Sequence, residues 1–430
     1  MNNPDIGERT LSRISRQLMP LLCLMYLIAY IDRQNVSFAK LEMVDALGLS
    51  EAAYGLGASL FFLGYFLFEA PANMILARVG ARVWFARIMG SWGLVTLALG
   101  FTQNAAMFYV LRFLLGAAEA GFFPGVLYVL TLWYPKARRG QMVGWFMSAS
   151  AVASAVGSLI GGALLELDGV AGLAGWQWVF VATALPALLL VPLVLAKLPS
   201  GPGEARFLSA DEKAWLAAEL AAEAGAAAPM KGAAWRALLD RRVLLLAALY
   251  FGLPLGAYGL SYWLPTIVKG FGATNLQNGA INVIPWACVA LALVLVPRHA
   301  ARHGATRWHI VGPMLIAAAG LMGSVLLPGV IVKFACLCVA AGAVFAAQPV
   351  FWTVPQRLLT GPHAAAGLAA INSIGNLGGF VAQNAVPAIH DATGSNLAPM
   401  AVLSLALVIA AAGFFFTLGR IGDLGGGTRR

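Results

Sequence analysis

Residues 17–38 read QLMPLLCLMYLIAYIDRQNVSF, an apolar run of the length that an α-helix needs to cross a lipid bilayer. Similar runs recur along the chain of 430 residues, each bounded by charged residues, glycine or proline. They are continuously apolar and rich in leucine and alanine, whereas the strands of a membrane β-barrel alternate apolar and polar residues. The sequence therefore predicts transmembrane helices rather than a barrel.

Twelve runs of this kind are present, six on each side of a polar middle segment. They cover approximately residues 17–38, 53–77, 83–103, 105–132, 141–166, 176–197, 243–267, 278–298, 308–328, 330–355, 364–388 and 397–419. The predicted fold is an all-α membrane protein with twelve transmembrane helices in two six-helix halves.

The composition excludes a soluble globular protein, because 60% of the residues are apolar and only 11% are charged. In soluble globular chains about 45–50% of the residues are apolar and about 25% are charged. The net charge of +10 does not indicate a nucleic-acid partner, since the basic residues form short clusters between apolar runs and no single basic face. All four cysteines lie in apolar runs, so we expect small hydrophobic residues there and neither a disulfide nor a cofactor.

Lysine and arginine in short loops mark the cytoplasmic side of a membrane protein. Most of them fall in both terminal tails, in the middle segment and in every second loop, whereas the intervening loops hold only Lys40, Lys269 and Lys333. We therefore expect both termini in the cytoplasm. The basic tail before residue 17 precedes a run of full span length, which favours a retained helix over a cleaved signal.

A polar, alanine-rich segment divides the chain into residues 1–197, 198–242 and 243–430, interpreted as an N-terminal half, a cytoplasmic linker and a C-terminal half. The loop after the second span of each half has a similar sequence, RVGARVW at 78–84 and RHGATRW at 302–308. Two parallel halves related by such a repeat are typical of alternating-access transporters.

Two surface helices are predicted in the linker. Ser209 and Glu212 have the spacing of a capping box, and Gly225 is a plausible stop, so the first helix should cover about residues 210–224. Basic and apolar residues alternate through residues 231–242, as in a helix that lies at the membrane interface.

Five ionisable residues lie inside the predicted spans: Asp32, Arg33, Glu69, Arg112 and Glu119. Each charge at the centre of a membrane helix costs about 2.5–3.5 kcal/mol on insertion scales. Such residues face the interior of the bundle or a water-filled cavity, and we therefore interpret them as functional. The alternative is that they form structural ion pairs between helices.

Arg112 and Glu119 are seven residues apart and share one face of the fourth span. Arg33 and Arg112 fall at similar depth, so their two guanidinium groups could form a site for a carboxylate. Asp32, Glu69 and Glu119 outnumber the arginines, and one of the three should take up a proton readily. We hypothesise that protonation of Asp32 and Glu119 releases the arginines for the substrate.

The C-terminal half supplies uncharged polar residues at helical spacing. Asn372, Asn376 and Gln383 lie on one face of the eleventh span, and Gln348 and Trp352 are one turn apart on the tenth. These side chains could hold the hydroxyl groups or the ring of an organic anion. The alternative is hydrogen bonding between helices, which contributes about 0.6 kcal/mol per bond. His299 and His303 are expected to be solvated loop residues and not metal ligands.

Four stretches resemble helices of the anion:cation symporter family of the major facilitator superfamily. They are YLIAYIDRQNVSFAK (26–40), GYFLFEAPAN (64–73), RFLLGAAEAGFFPG (112–125) and INSIGNLGG (371–379). The resemblance implies proton-driven uptake of organic anions across the bacterial inner membrane. Within the family the chain is most similar to permeases for tartrate, phthalate, sugar acids or hydroxyphenylacetate.

The resemblance and the spacing together give a set of expected site residues. Those for proton coupling are Asp32, Glu69 and Glu119; those for substrate binding are Tyr30, Arg33, Tyr65, Arg112, Gln348, Trp352, Asn372 and Asn376. The predicted function is import of a small carboxylate with protons by a monomeric transporter that performs no chemistry on its substrate. No phosphate-binding loop of the GxxxxGK[ST] type is present. The alternatives are a proton-independent facilitator or exchanger of neutral solutes, and a membrane-embedded enzyme.

Overall fold

The computed structural model describes residues 4–224, 240–304, 307–358 and 364–421, which contain helices and no β-strand. The helices are α1 (Pro4–Ala46), α2 (Glu51–Val79), α3 (Ala81–Leu99), α4 (Ala105–Glu119), α5 (Phe122–Trp133), α6 (Lys136–Leu165), α7 (Gly175–Lys197), α8 (Ala210–Ala224), α9 (Arg241–Lys269), α10 (Asn275–His303), α11 (Trp308–Leu326), α12 (Val330–Leu358), α13 (Ala364–Thr393) and α14 (Leu397–Ile421). Each predicted span falls on a helix or, for the fourth span, on two. The all-α fold is confirmed.

Within the described ranges, ten helices are long and apolar enough to cross a membrane, counting α4 and α5 as one. The two remaining predicted spans are α3 and α13. Helix α13 is less apolar because it carries Asn372, Asn376 and Gln383, all of which line a cavity inside the bundle. A helix with one polar face directed inward does not need to be apolar on every side.

The two loops with the related sequences share one backbone feature. Gly80 ends α2 with φ at 81°, and Gly304 ends α10 with φ at 80°. Residues with a side chain rarely adopt these positive φ values, so glycine at both positions gives the same abrupt helix end.

The predicted linker helix over residues 210–224 is confirmed as α8. The Ser209 N–H donates to Glu212 (2.8 Å), and the Glu212 N–H donates to the Ser209 hydroxyl (3.3 Å), which completes the capping box. Glu212 also accepts from Arg13 (2.9 Å), so α8 is fixed to α1. Gly225 and residues 231–239 lie outside the described residues.

The fourth predicted span, residues 105–132, is confirmed as one candidate membrane span, but the helix within it is interrupted. Helix α4 ends at Glu119, and α5 begins at Phe122. Gly121 between them has φ at 82°, in the left-handed region that terminates an α-helix. Glu119 therefore lies at a helix break inside the membrane, and discontinuous helices of this kind often form transporter sites.

Lys40 was interpreted as a loop residue, and this interpretation is wrong. Helix α1 continues to Ala46, and Lys40 is buried inside the protein. Its ammonium group pairs with Glu51 (2.6 Å) and lies 3.7 Å from the centre of the Trp263 ring. A nearby carboxylate and an aromatic face compensate for the loss of water around a buried cation.

The two halves meet chiefly along α2 with α13 and along α6 with α10. At the second of these contacts, two glycines allow the helix backbones to touch. A Cβ atom added to Gly162 would lie 2.8 Å from the Gly279 Cα atom. Small residues at helix contacts are a common means of close packing in membranes.

A similar close approach joins α2 and α4, and it gives a prediction. A Cβ atom on Gly116 would collide with the backbone oxygen of Phe61. We expect Gly116→Ala to destabilise the protein by about 1–3 kcal/mol, the usual cost of overpacking, and to lower its melting temperature in detergent. The control is Gly144→Ala in α6, where no heavy atom lies within 4 Å. Equal melting temperatures for the two variants would contradict this packing.

Candidate functional site

A central cavity of about 120 Å³ lies between the two halves. Its wall is built from α1, α2, α5, α6, α9, α10, α12 and α13. The wall includes the following predicted substrate residues: Tyr30, Arg33, Tyr65, Gln348, Trp352, Asn372 and Asn376. The remaining predicted site residues do not line this cavity; they are Asp32, Glu69, Arg112 and Glu119.

Charge is distributed unequally over the wall. Arg33 is the only charged side chain among the described lining residues, and it comes from the N-terminal half. The C-terminal half contributes amides and aromatic rings. The cavity therefore has one fixed positive charge facing neutral hydrogen-bonding groups, an arrangement that can orient an anion with polar substituents.

Arg33 is held by Glu119 at the break between α4 and α5. The Arg33 Nε atom donates to Glu119 Oε1 at 2.9 Å, and Nη2 donates to the same oxygen. Glu119 is fully buried, and its second oxygen, Oε2, has no hydrogen-bond partner among the described residues. A buried carboxylate oxygen without a hydrogen-bond partner is costly while it is charged.

Aromatic rings surround the Arg33 guanidinium. Its Cζ atom lies 5.2 Å from the ring centre of Tyr30, 5.6 Å from Phe61 and 5.8 Å from Tyr65. These cation–π contacts stabilise the charge in a site with little water. The side chain is still 18% exposed, so a solute in the cavity can reach it.

Asp32 and Arg112 line a second, smaller cavity of about 30 Å³. This cavity shares Arg33 and Phe61 with the wall of the central one. The Phe61 ring lies between the two arginines, with its centre 5.1 Å from the Arg112 guanidinium and 5.6 Å from that of Arg33. The two guanidinium groups thus face adjacent cavities.

The partners of Asp32 and Arg112 differ from that of Arg33. Asp32 accepts a hydrogen bond from Asn35 (2.9 Å), and Arg112 donates to the backbone oxygen of Ala58 (2.9 Å). Arg112 Nε has no hydrogen-bond partner among the described residues. In the described part of the chain, Asp32 and Arg112 make no direct ion pair, so the small cavity holds a separated acid and base.

Glu69 connects the two halves near the central cavity. It is buried on α2 and accepts hydrogen bonds from Asn372 (3.3 Å) and Ser373, both on α13. Asn372 itself lines the cavity. Glu69 therefore contacts the cavity wall through Asn372 and joins α2 to α13.

Aromatic packing positions Trp352 on the opposite wall. The Tyr250 ring meets the Trp352 ring at 5.0 Å, edge to face, and stacks on Phe351 at 4.6 Å. Gln348 lies one turn before Trp352 on α12 and points into the same space. The ring contacts fix the Trp352 indole in the cavity wall.

Sequence reasoning missed the contribution of α9. Tyr250, Tyr258, Ser261 and Tyr262 all line the central cavity, and Tyr258 lines the small one as well. Tyr258 and Tyr262 are one helical turn apart, and such hydroxyl-bearing residues in an apolar span were a usable signal. The described residues contain no cluster of three His, Cys, Asp or Glu side chains that could hold a metal ion.

The two halves are also joined at the distal end, which we define as the end of the bundle opposite the chain termini. Glu166 accepts a hydrogen bond from the Leu276 N–H at the start of α10 (3.1 Å). Asp391 accepts one from the Ala52 N–H at the start of α2 (2.9 Å). Each half thus supplies a carboxylate to a helix N-terminus of the other, where negative charge is favourable. Because α2 and α10 are the second membrane helices of their halves, this arrangement follows the internal repeat.

Further contacts across the distal end support this closure. Asn275 donates to Glu42 (2.9 Å), and Asn384 donates to Ser59 (2.5 Å). Lys40 of the N-terminal half also reaches Trp263 of the C-terminal half. The central cavity is therefore separated from the distal end by several layers of contacts between the halves.

Comparison with known families gives a match to the one described as Major Facilitator Superfamily, over residues 22–383. A putative tartrate transporter of Agrobacterium vitis is 43% identical over 409 residues, which cover 95% of this chain and 94% of the relative. A quinolone resistance transporter of Acinetobacter baumannii is 43% identical, with 94% of both chains covered. NicT, a putative metabolite transport protein of Pseudomonas putida, is 40% identical with the same coverage.

Solved structures with similar folds are transporters too. A bacterial homologue of the human lysosomal transporter Spinster, inward-facing and unoccupied, has a TM-score of 0.77 with 18% identity and 97% of both chains covered. The xylose transporter XylE from E. coli, partially occluded and inward-open, has a TM-score of 0.73 with 16% identity, covering 96% of this chain and 99% of that one. At such identities the similarity concerns the fold alone.

Proposed function

The chain belongs to the Major Facilitator Superfamily, and from this premise we propose that it is a proton-coupled symporter that imports a small organic carboxylate by alternating access. It is a multi-pass membrane protein that transports small organic substrates and is not an enzyme. The proposal adds the substrate charge, the coupling to protons and the direction of transport.

The observation that carries the proposal is the pair formed by Arg33 and Glu119. Arg33 is the charged group of the central cavity, and its partner is buried with one oxygen lacking a hydrogen bond within the described residues. A substrate carboxylate that binds Arg33 has to compete with Glu119. A Glu119 left alone would be an uncompensated buried charge, so it takes up a proton as the substrate binds. Anion and proton then occupy the site together.

The second acid and base, Asp32 and Arg112, have a supporting role in this proposal. They lie behind Phe61, next to Arg33. A proton on Asp32 leaves Arg112 as a second positive charge close to the substrate. Glu69 links α2 to α13, and a proton on its carboxylate would weaken that link as the halves move.

The neutral side of the cavity suits the rest of an organic acid. Gln348, Asn372 and Asn376 present amides to hydroxyl or carbonyl groups, and Tyr30, Tyr65 and Trp352 present rings and polar edges. The cavity of about 120 Å³ has room for about four waters at liquid density, or for a small solute of similar volume. The name of the Agrobacterium relative, a putative tartrate transporter, points to a substrate of this class.

The proposed location is the bacterial inner membrane, with both termini in the cytoplasm and one chain as the working unit. The distribution of lysine and arginine among the loops supports this orientation. The distal end then faces the periplasm, and the contacts described above close the central cavity on that side.

The proposal is tested by reconstitution in liposomes with an imposed inward proton gradient and a panel of labelled organic acids and neutral sugars. We expect at least one carboxylate to accumulate with the gradient, and accumulation to stop when a protonophore abolishes it. If sugars enter and no acid does, the chain carries neutral solutes instead. If uptake of an acid does not respond to the gradient, its transport is not coupled to protons.

A second candidate is the transport of aromatic drugs. The quinolone resistance name of the Acinetobacter relative and the aromatic wall around Arg33 favour it. A labelled quinolone in the same liposomes separates the two candidates. Gradient-driven movement of the quinolone with no movement of small acids would favour the drug transporter.

The contacts at the distal end give a further prediction. Glu166→Gln combined with Asp391→Asn removes both carboxylates that bind helix N-termini, each worth about 0.3–1 kcal/mol. We expect the population open at the distal end to rise about 3- to 30-fold. Spin labels are attached at Ala46→Cys and Asn396→Cys in a variant from which the four native cysteines have been removed. Opening of the distal end should lengthen the distance between the two labels, measured by pulsed electron paramagnetic resonance.

The control for this experiment is Asp211→Asn with Glu219→Gln on the exposed face of α8, which removes the same charge elsewhere. The control should leave the distance distribution as in the parent protein. An unchanged distribution in the distal variant, or an equal change in the control, would show that the two carboxylates do not hold the halves together.

A further inference from the structure

A separate groove of about 770 Å³ lies on the surface of the C-terminal half, between the end of α10 and the start of α11. Basic and titratable side chains line it: Arg298, His299, Arg302, His303 and His309. Its described lining contains no acidic residue. The groove lies at the same end of the bundle as the chain termini and shares no lining residue with the central cavity.

The groove exists because α10 and α11 pack against α12 rather than against each other. Gly312 on α11 faces the space, and a Cβ atom added to it would meet no heavy atom within 4 Å. The opening extends along the helices toward the membrane, where Leu295 and Ile316 form its apolar sides. Both side chains are exposed on the protein surface, so these sides are in contact with lipid.

The histidines form a compact group at the mouth of the groove. His299 Nδ1 and His309 Nε2 share a hydrogen bond of 2.9 Å, and the rings of His299 and His303 stack at 4.3 Å. Arg298 and Arg302 are exposed, and neither has an ion pair or a side-chain hydrogen bond among the described residues. Arg298 and Arg302 place two positive charges side by side with no acidic residue in the described lining, and such a pair attracts an anion.

The related loop of the N-terminal half shows the contrast. There, Arg82 pairs with Glu204 of the linker at 2.7 Å and donates to the backbone oxygen of Leu198 at 3.0 Å. The protein thus neutralises the basic loop after α2 with its own acid. Among the described residues, no acid pairs with Arg298 or Arg302 at the end of α10.

We propose that this groove binds the phosphate headgroup of an anionic phospholipid. Arg298 and Arg302 can bind phosphate oxygens with parallel hydrogen bonds, and the histidines add further donors. Trp308 is exposed beside them, and exposed tryptophans mark the headgroup level of a bilayer. One acyl chain then lies along Leu295 and Ile316. Basic pockets between membrane helices are a recognised form of lipid headgroup site.

The test uses the full chain, purified in neutral detergent and freed of lipid. Binding of dioleoyl phosphatidylglycerol and of dioleoyl phosphatidylcholine is titrated by native mass spectrometry. We expect tight binding of the phosphatidylglycerol alone. Arg298→Gln with Arg302→Gln should weaken it about 30-fold, and Arg302→Gln alone about fivefold.

The matched control is Arg241→Gln with Arg242→Gln, two exposed arginines at the start of α9 at the same end of the bundle. This control should bind phosphatidylglycerol as the parent does, and melting temperatures establish that all variants are folded. Equal binding of both lipids, or an equal loss in the control, would overturn the proposal.

Glycerol 1-phosphate distinguishes a lipid from a soluble anion. If it competes at the same concentration as the whole lipid, the acyl chain contributes nothing, and the groove binds soluble phosphates instead. None of these readouts involves transport, so a failure of the lipid site and a failure of the symport proposal are separate outcomes.

Discussion

Arg33→Gln is expected to abolish uptake of the carboxylate substrate while the protein remains folded in the membrane. The reason is that Arg33 supplies the only charge among the described residues of the central wall. Truncating one partner of a buried, hydrogen-bonded charge pair costs about 2–5 kcal/mol, so the apparent affinity should fall at least about 30-fold. The measurement is initial uptake in liposomes over a range of substrate concentrations.

The main control addresses the partner that this substitution leaves behind. In Arg33→Gln, Glu119 loses its ion pair and becomes an isolated buried acid. Arg33→Gln with Glu119→Gln removes both charges, and this double variant should be as stable as the parent but still inactive. Arg33→Lys keeps the charge without the planar fork and should recover only part of the affinity. Recovery of full uptake in the double variant would show that Arg33 serves folding and not substrate binding.

Glu119→Gln should separate binding from coupling. The glutamine can still accept a hydrogen bond from Arg33, but it cannot release or take up a proton. We expect this variant to bind the anion and to exchange labelled for unlabelled substrate across the membrane. Accumulation against a gradient should be lost. With a pH difference of two units, the parent can sustain roughly 100-fold accumulation of a monoanion carried with one proton, whereas the variant should reach only equal concentrations.

The control for this variant is Glu219→Gln on the exposed face of α8, which removes a carboxylate far from the cavity. It should accumulate substrate as the parent does. If Glu119→Gln still accumulates substrate in response to the pH gradient, the coupling proton is carried elsewhere. Asp32 and Glu69 are then the remaining buried acids of the N-terminal half to examine.

The helical architecture could be predicted from sequence because the bilayer restricts what a chain can do. Every backbone group inside lipid must be hydrogen-bonded within the protein, so a long apolar run has to become a helix. The surface helix α8 was predictable for a local reason, since Ser209 and Glu212 satisfy each other's backbone groups. The similarity of the two loops could be seen in the sequence because Gly80 and Gly304 both adopt a positive φ, which favours glycine at that position.

The pairing of the buried charges was less accessible to sequence analysis. The spacing of Arg112 and Glu119 placed them on one helix, but the break at Gly121 ends that helix directly after Glu119. Arg33 and Glu119 are 86 residues apart, and only the tertiary fold places the end of α4 beside α1 and brings them together. Gly121 and Pro124 are visible in the sequence as signals of a helix break. They do not predict in which direction the side chains beside the break point.

Lys40 and the α9 tyrosines illustrate the same limit. Lys40 appears polar and loop-like in sequence, but Glu51 and Trp263 provide the partners that allow its burial. Tyr258 became a site residue because α9 faces α2 across the cavity. Such lateral neighbours depend on how the two halves pack, which hydrophobic periodicity does not determine.

The central claim is that carboxylate binding at Arg33 and protonation of Glu119 occur together. The most direct measurement is proton uptake by the purified protein in weakly buffered solution, recorded with a pH indicator while the transported acid, fully ionised at the working pH, is added. We predict net proton uptake that saturates with the bound anion and disappears in Glu119→Gln. Saturable binding of the anion with no proton uptake by the parent protein would contradict the account.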